Sequence, residues 1–160
     1  MEASDEAELL GTVIHFPDSK LTICNYYAPP DKELRGGGGG GGDSIKVPQE
    51  DSIIVGDFNS HSLKWGYEDL YTRGEEVEEW QVINNLQLLI DKDDEPTFYS
   101  RAWMTTFTQG LAFATSNILR EANQQVLAPL ITSDHKPIAI AVTTQPAKKS
   151  TPTTIELQKS

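Results

Sequence analysis

Cysteine is almost absent: Cys24 is the single one in 160 residues, which excludes an intramolecular disulfide and any multi-cysteine zinc site. Positive charge is also scarce. Thirteen Lys and Arg stand against 24 Asp and Glu, for a formal net charge of −11 and a pI near 4.6. A basic nucleic-acid footprint is therefore missing, and non-specific phosphate binding is disfavoured unless a divalent cation or another segment supplies positive charge. No apolar run approaches the ~20 residues of a membrane span, and residues 1–8 are acidic and polar where a secretory leader is basic and then apolar. An intracellular chain with no membrane partner is expected. Glycine is scarcer than its count of 12 suggests, because seven form one run, Gly36 to Gly42. That run has nothing to bury and reads as a flexible linker.

What remains is 38 % hydrophobic and 23 % charged, compatible with one buried core in a domain of roughly 150 residues. Residues 1–8 read as a frayed acidic end, 9–144 as the domain with its glycine linker at 36–42, and 145–160 as a Pro/Thr/Lys-rich tail. Leu9 to Phe16 and Leu21 to Tyr27 are β-rich runs separated by Pro17-Asp18-Ser19-Lys20, the pattern of a hairpin. Cys24 falls inside the second and reads as a buried, inert thiol. Ile53-Ile54-Val55 followed by Gly56-Asp57-Phe58-Asn59 reads as a buried central strand opening into a polar loop. A helix is expected from Gly74 to Leu89, with four glutamates near its N-terminus and Val77, Trp80 and Ile83 on one buried stripe. Leu86 to Ile90 is expected to pass from the helix end into a short strand. Asp91 to Pro96 reads as a surface turn lacking the glycine and ligand spacing of an EF-hand. Further strands are expected at Thr97 to Ser100, Gly110 to Thr115 and Pro137 to Thr144. The predicted class is α/β or α+β, with a mostly antiparallel or mixed sheet.

Two short patterns carry possible chemistry. Asp57 and Asn59 are two apart at a strand end, so a period of two would point both side chains to the same side. A carboxylate and an amide sharing a pocket suit water activation and phosphate binding near Mg²⁺. The plainer alternative is an Asx turn, in which the side chains satisfy nearby backbone amides. Ser133-Asp134-His135 precedes the last strand, and His135 there can act as acid, base or phosphate clamp, or sit as an exposed loop histidine. Ser133 reads as a turn residue, since nucleophilic triads converge from separate segments. His15 and His61 have no partner at zinc-ligand spacing.

Set in order, Asn25-x-Tyr27-Ala28-Pro29, Ile54-Val55-Gly56-Asp57-Phe58-Asn59-Ser60-His61, Leu111-Ala112-Phe113 and Ser133-Asp134-His135-Lys136-Pro137 resemble the endonuclease/exonuclease/phosphatase superfamily. Ser60 to Tyr67, Arg73 to Trp80 and Pro96 to Arg101 look like the endonuclease domain of non-LTR retrotransposons, the part that precedes a reverse transcriptase. The resemblance implies a four-layer α/β sandwich, present here in part, and Mg²⁺-dependent nicking of DNA, with Mn²⁺ as a possible substitute and nuclear access. By the same resemblance Asp57 activates water, Asn59 binds the scissile phosphate, Tyr27 packs at or contacts it, His135 stabilises the charge that develops, and Asp134 with Asp57 assists the metal.

Three departures from the family pattern bear on activity. The family's first-strand asparagine and metal-ligating glutamate have no counterpart before Val13. Gly110 stands where the family has an aspartate that orients the histidine. The glycine run stands where a helix usually lies. The expectation is a truncated domain with weak or absent nicking, able to self-associate through an exposed half-sandwich; the alternatives are a non-catalytic remnant or interaction protein, and a phosphatase or phospholipase of the same superfamily.

Overall fold

A computed structural model describes residues 8–29, 47–48, 50–118, 122–129 and 133–143. The acidic end up to residue 7, the Gly36 to Gly42 linker and the 145–160 tail lie outside the described residues. The first two elements are β1 (Glu8–His15) and β2 (Lys20–Tyr27), paired antiparallel from Glu8↔Tyr27 to His15↔Lys20. Their turn is closed by the Phe16 amide donating to the Ser19 carbonyl at 2.8 Å, as the Pro-Asp-Ser-Lys signal predicts. β3 (Ser52–Asp57) lies parallel to β2 and carries the apolar Ile53 and Ile54, 3 % and 1 % exposed.

After a short 3-10 turn at Leu63–Trp65, α1 runs over Thr72–Ile83 and the chain re-enters the sheet as β4 (Leu86–Leu88). Next come β5 (Phe98–Ser100), β6 (Thr105–Phe107), β7 (Gly110–Thr115), β8 (Ala122–Val126) and β9 (Ile138–Val142). The main sheet has the order β1-β2-β3-β7-β4, while β5-β6 and β8-β9 form two small antiparallel sheets. One parallel pair among antiparallel ones makes the sheet mixed and the class α+β, as predicted.

β3 is central because it is apolar on both faces, and its pairing with β2 is unusually close at one point. A Cβ on Gly56 would meet the Tyr26 carbonyl oxygen at 1.7 Å, a clash with backbone that no rotamer relieves. Gly74 plays the same part for α1, since a Cβ there would lie 1.8 Å from the His61 carbonyl oxygen. The first turn of α1 can therefore rest directly on the loop that follows β3. The helix buries Gly74, Val77 and Trp80. Around Trp80, the buried rings of Tyr26, Phe58 and Phe113 meet it or one another at tilted or edge-on angles of 47–83°, the usual preference of close-packed aromatics. Cys24 is buried in the same cluster, and desolvation pushes its thiol pKa up, so the inert-thiol reading stands.

The helix is shorter than its sequence pattern predicts. Both the amide and the side-chain Nδ2 of Asn84 donate to the Trp80 carbonyl, at 3.1 and 2.8 Å, and Asn85 adopts a left-handed φ of 51°. These two residues cap the last turn and swing the chain into β4. Ile83, expected on the buried stripe, is instead 60 % exposed. At the other end of the sheet, Leu9, Leu10, Val13 and Ile14 of the outer strand β1 are 39–71 % exposed. No helix of the described residues is long and apolar enough to cross a membrane.

Glu78 ties α1 to the 3-10 turn. It accepts from the Ser62 hydroxyl and pairs with Lys64, whose Nζ lies 2.9 Å from its Oε2. Partial burial would raise the Glu78 pKa, but the Ser62 hydroxyl and the Lys64 ammonium together hold it below the usual carboxylate range. A carboxylate depressed in the folded state stabilises the fold at pH values above its unfolded pKa of about 4.3 and loses that contribution as pH falls through the folded value. Glu78→Gln is therefore expected to lower stability by less than about 1 kcal/mol at pH 7, since the pair is partly solvent-screened. Urea melts near pH 2–3 should show the two proteins converging, both carrying a neutral side chain there.

Candidate active site

The site begins where two parallel strands end together. In the β2–β3 register Tyr27 is the partner of Asp57, and parallel neighbours in register present their side chains to the same side of the sheet. On the other flank, the β3–β7 register places Gly110 opposite Asp57. The Ala28 amide donates to the Asp57 carbonyl at 2.9 Å and the Phe58 amide to the Gln109 carbonyl at 3.3 Å. These bonds continue both ladders past the strand ends and fix the backbone beneath Asp57.

Asn59 does not continue the strand. Its φ is 44° and its amide donates to Asp57 Oδ1 at 3.0 Å, which is the Asx turn held open as the plainer reading. The expectation from strand period that Asp57 and Asn59 project side by side is corrected by this turn. Asn59 Nδ2 donates to the Ala28 carbonyl at 2.9 Å, so the side chain bridges the two strand ends. Arg73 adds a second bridge: Nε donates to the Phe58 carbonyl at 3.2 Å and Nη2 to the Pro29 carbonyl at 2.7 Å. Tyr27-Ala28-Pro29 and Asp57-Phe58-Asn59 are thus clamped together from two sides.

The segment bearing His135 docks on the same corner through β5. The Tyr99 amide donates to the Asp134 carbonyl at 2.8 Å and the Lys136 amide to the Thr97 carbonyl at 2.7 Å. Thr97 Oγ1 in turn accepts from the Gly110 amide at 3.1 Å. Ser133 acts as the predicted turn residue, its hydroxyl accepting from the His135 amide at 3.1 Å. The His135 ring rests on Phe98 with centroids 4.7 Å apart, and both Asp134 and His135 are exposed. A chain of hydrogen bonds and strand pairing therefore runs from the residues flanking His135 through Thr97, by its carbonyl and its hydroxyl, and Gly110 to Asp57.

Electrostatics report the same proximity. Burial pushes the Asp57 carboxyl above its ordinary range, while the Asn59 amide and the positive charges of His135 and Arg73 pull in the opposite direction. Tyr67 also faces this corner. Its pKa is raised by burial and then by the Asp57 charge, with the Thr108 backbone amide opposing weakly, and the Tyr67 hydroxyl is enclosed without a hydrogen bond of good geometry. Tyr67 and Arg73 lie within the family-like spellings, but their roles follow from these contacts and from nothing in their spacing.

Asp57 is the carboxylate at this corner, and Asp134, expected beside it as a metal ligand, docks there through its backbone carbonyl alone and is not among the charges that act on Asp57. Only Oδ1 of Asp57 is engaged among the described residues, and Mg²⁺ is a hard cation that accepts one or two carboxylates while keeping several waters. The donor chemistry fits on those terms. No group of three or more His, Cys, Asp or Glu side chains is gathered to hold a metal among the described residues.

Comparisons with known proteins give the family and the fold. The profile of a family described as endonuclease-reverse transcriptase matches residues 21–139, a stretch that contains Tyr27, Asp57, Asn59, Asp134 and His135. The fold is similar to that of the endonuclease domain of TRAS1, a telomere-specific non-LTR retrotransposon, with a TM-score of 0.71 and 21 % identity. That likeness covers 86 % of this chain and 64 % of the TRAS1 domain, so this chain spans less than two thirds of its structural relative. A search of curated proteins finds no match. With the family profile covering well over half of its residues, the chain belongs to the endonuclease–reverse transcriptase family, within the endonuclease/exonuclease/phosphatase superfamily.

Proposed function

We propose that this chain is a retrotransposon-type endonuclease domain whose site hydrolyses a phosphodiester of DNA to leave a nick. The observation that carries the reading is the convergence of Tyr27, Asp57 and His135, through strand register and hydrogen-bonded docking, at the C-terminal ends of the inner strands β2 and β3.

Asp57 takes a proton from a water as its oxygen attacks phosphorus, and the phosphorus bond to the leaving sugar oxygen breaks on the opposite side. His135, when protonated, offers positive charge to the phosphoryl oxygens as negative charge builds there. The same imidazolium can give its proton to the leaving oxygen, which conserves protons across the step. Tyr27, 46 % exposed and the register partner of Asp57, contacts the phosphate on this reading. Asn59 and Arg73 position the turn beneath it, and the second hydrogen of Asn59 Nδ2 remains for a phosphate oxygen. Asp57 and Asp134 would hold Mg²⁺, or Mn²⁺ in its place, and the bound dication supplies neutralisation of phosphate charge.

The test is nicking of supercoiled plasmid with Mg²⁺, beside an EDTA control and His135→Ala. Metal-dependent nicking that disappears in the variant supports the reading, and nicking that survives it removes His135 from the site. A second reading, a non-catalytic remnant, is favoured by Gly110, which offers no carboxylate opposite Asp57. Loss of the corresponding carboxylate in a serine-protease triad costs about 10⁴ in rate. Gly110→Asp is therefore expected to raise the nicking rate at least tenfold. Its Cβ would approach only side-chain atoms, Ile138 Cδ1 at 3.3 Å and Thr97 Oγ1 at 3.4 Å, so the fold should accommodate it. A folded Gly110→Asp protein that is still silent with Mg²⁺ favours the remnant.

A further inference from the structure

Two sets of aromatic rings in this chain are arranged by different rules. The core set is fully enclosed and meets at steep angles. The second set is partly exposed and its rings are nearly parallel: His61 is 17° from Tyr67, 19° from Tyr71 and 20° from Phe107, and Tyr67 is 13° from Phe107. Centroids are 4.0 Å apart for His61 and Tyr67 and 4.7 Å for His61 and Tyr71, the separations of stacked rings. The row continues from Phe107 to Phe98 at 6.5 Å and 23°, and Phe98 touches the ring of His135. It therefore starts at the proposed catalytic histidine and ends at Tyr71, which is 55 % exposed. His61, Tyr67, Phe98 and Phe107 are each half-buried.

We propose that Tyr71, the exposed end of this row, offers its outer ring face as a stacking platform for one nucleobase of an unpaired DNA strand leading from the scissile phosphate, with the inner rings of the row holding it in place. The inference rests on the DNA reading of the site and adds to it the surface that grips the substrate. Stacking on exposed rings is tolerant of sequence, because every base has a π-face. It also resolves a difficulty posed by charge. At −11 the chain cannot rely on displacing counterions from phosphates, so apolar stacking is the grip that its composition leaves open.

The hydrogen bonds of Tyr71 are made by its backbone, so a change of side chain removes its stack on His61 and leaves them in place. Tyr71 precedes α1 as the N-cap residue but makes no side-chain cap hydrogen bond; its backbone amide donates to the His61 carbonyl at 3.2 Å and its carbonyl accepts from Glu75. The experiment is fluorescence anisotropy of a labelled oligo(dT) strand of about 12 nucleotides with the 160-residue protein in EDTA. Wild type, Tyr71→Ala and Tyr71→Phe are compared across salt concentrations. Tyr71→Ala is expected to weaken binding at least about fivefold, the lower end of a single base–aromatic stack, and Tyr71→Phe to bind as wild type does. The salt slope should be shallow, below the value of about −0.7 that even one displaced counterion gives on a single strand.

Tyr71→Ala binding as tightly as wild type overturns the proposal, as does a wild type that does not bind the strand. A steep salt slope shared by all three proteins assigns the grip to phosphates and overturns it as well. Because the assay contains no metal, it is separable from catalysis. Tyr71-dependent binding without nicking sinks the nuclease reading alone, and nicking that is indifferent to Tyr71 sinks the stacking platform alone.

Discussion

Asp57→Ala is expected to lower Mg²⁺-dependent nicking by about 10²–10⁴-fold, the range general-base removal produces, with Asp57→Asn falling as far. The two variants separate chemistry from folding. In Asp57→Asn the side-chain oxygen can still accept the Asn59 amide that Oδ1 accepts at 3.0 Å, so the turn is kept while the proton acceptor is lost. Burial raises the Asp57 pKa in the folded state. A carboxyl raised on folding contributes stability while protonated, below its unfolded pKa, and loses it as pH rises through the folded value. At neutral pH the ionised Asp57 is therefore a burden on the fold, and in metal-free buffer Asp57→Asn should be at least as stable as wild type. Activity lost while stability holds or rises marks a residue kept for chemistry at some cost to the fold. A plasmid assay in which Asp57→Asn nicks at the wild-type rate would sink the assignment, whatever its melting temperature.

Much of this site was legible in the sequence because its parts sit at strand ends, where pattern is strong. The apolar Ile53-Ile54-Val55 run has the pattern of an inner strand, and the polar residues after it emerge where that strand ends. Ser133 as a turn former and Cys24 as a buried thiol followed from local chemistry alone. The relation between Asp57 and Asn59 did not, because a period of two holds only while the strand lasts. One left-handed residue at φ 44° turned a shared pocket into an Asx turn, and Asn is among the few residues that take that conformation readily.

The strands that were missed, Thr105–Phe107 and Ala122–Val126, are short or polar. β8 alternates between half-buried and exposed without one fully buried residue, so it carries no apolar run to read. The helix end was misplaced because Leu86 to Leu89 extends an apolar pattern that Asn84 and Asn85 interrupt by capping, a tertiary and backbone effect that periodicity does not record. Arg73 was visible only as part of a family spelling. Its two acceptors, the carbonyls of Pro29 and Phe58, are separated by more than 25 residues of chain, and no local pattern links them.

Phe58→Ala is the substitution expected to cost the fold most. Its ring is fully buried, at 0 % exposure, with centroids 4.9 Å from Tyr26, 5.3 Å from Phe113 and 5.7 Å from Trp80. Removing such a ring leaves a cavity that three stiff aromatic neighbours cannot fill, and buried Phe to Ala changes cost about 3–5 kcal/mol. Against a total stability of about 5–15 kcal/mol for a domain, that is a loss large enough to unfold much of the population at 37 °C. The effect should also reach the site, because Phe58 lies between Asp57 and Asn59 and its carbonyl is one of the two acceptors that Arg73 holds. Urea denaturation should show the midpoint falling steeply for Phe58→Ala and less for Phe58→Leu, which retains more of the buried volume. Leu63→Ala is the control, since Leu63 is 57 % exposed and such surface changes stay within about 0.5 kcal/mol. If Phe58→Ala melts where Leu63→Ala does, the Tyr26–Phe58–Trp80–Phe113 cluster is not what holds α1 to the sheet, and the support beneath Asp57 must come from the strand ladders and the Arg73 bridge instead.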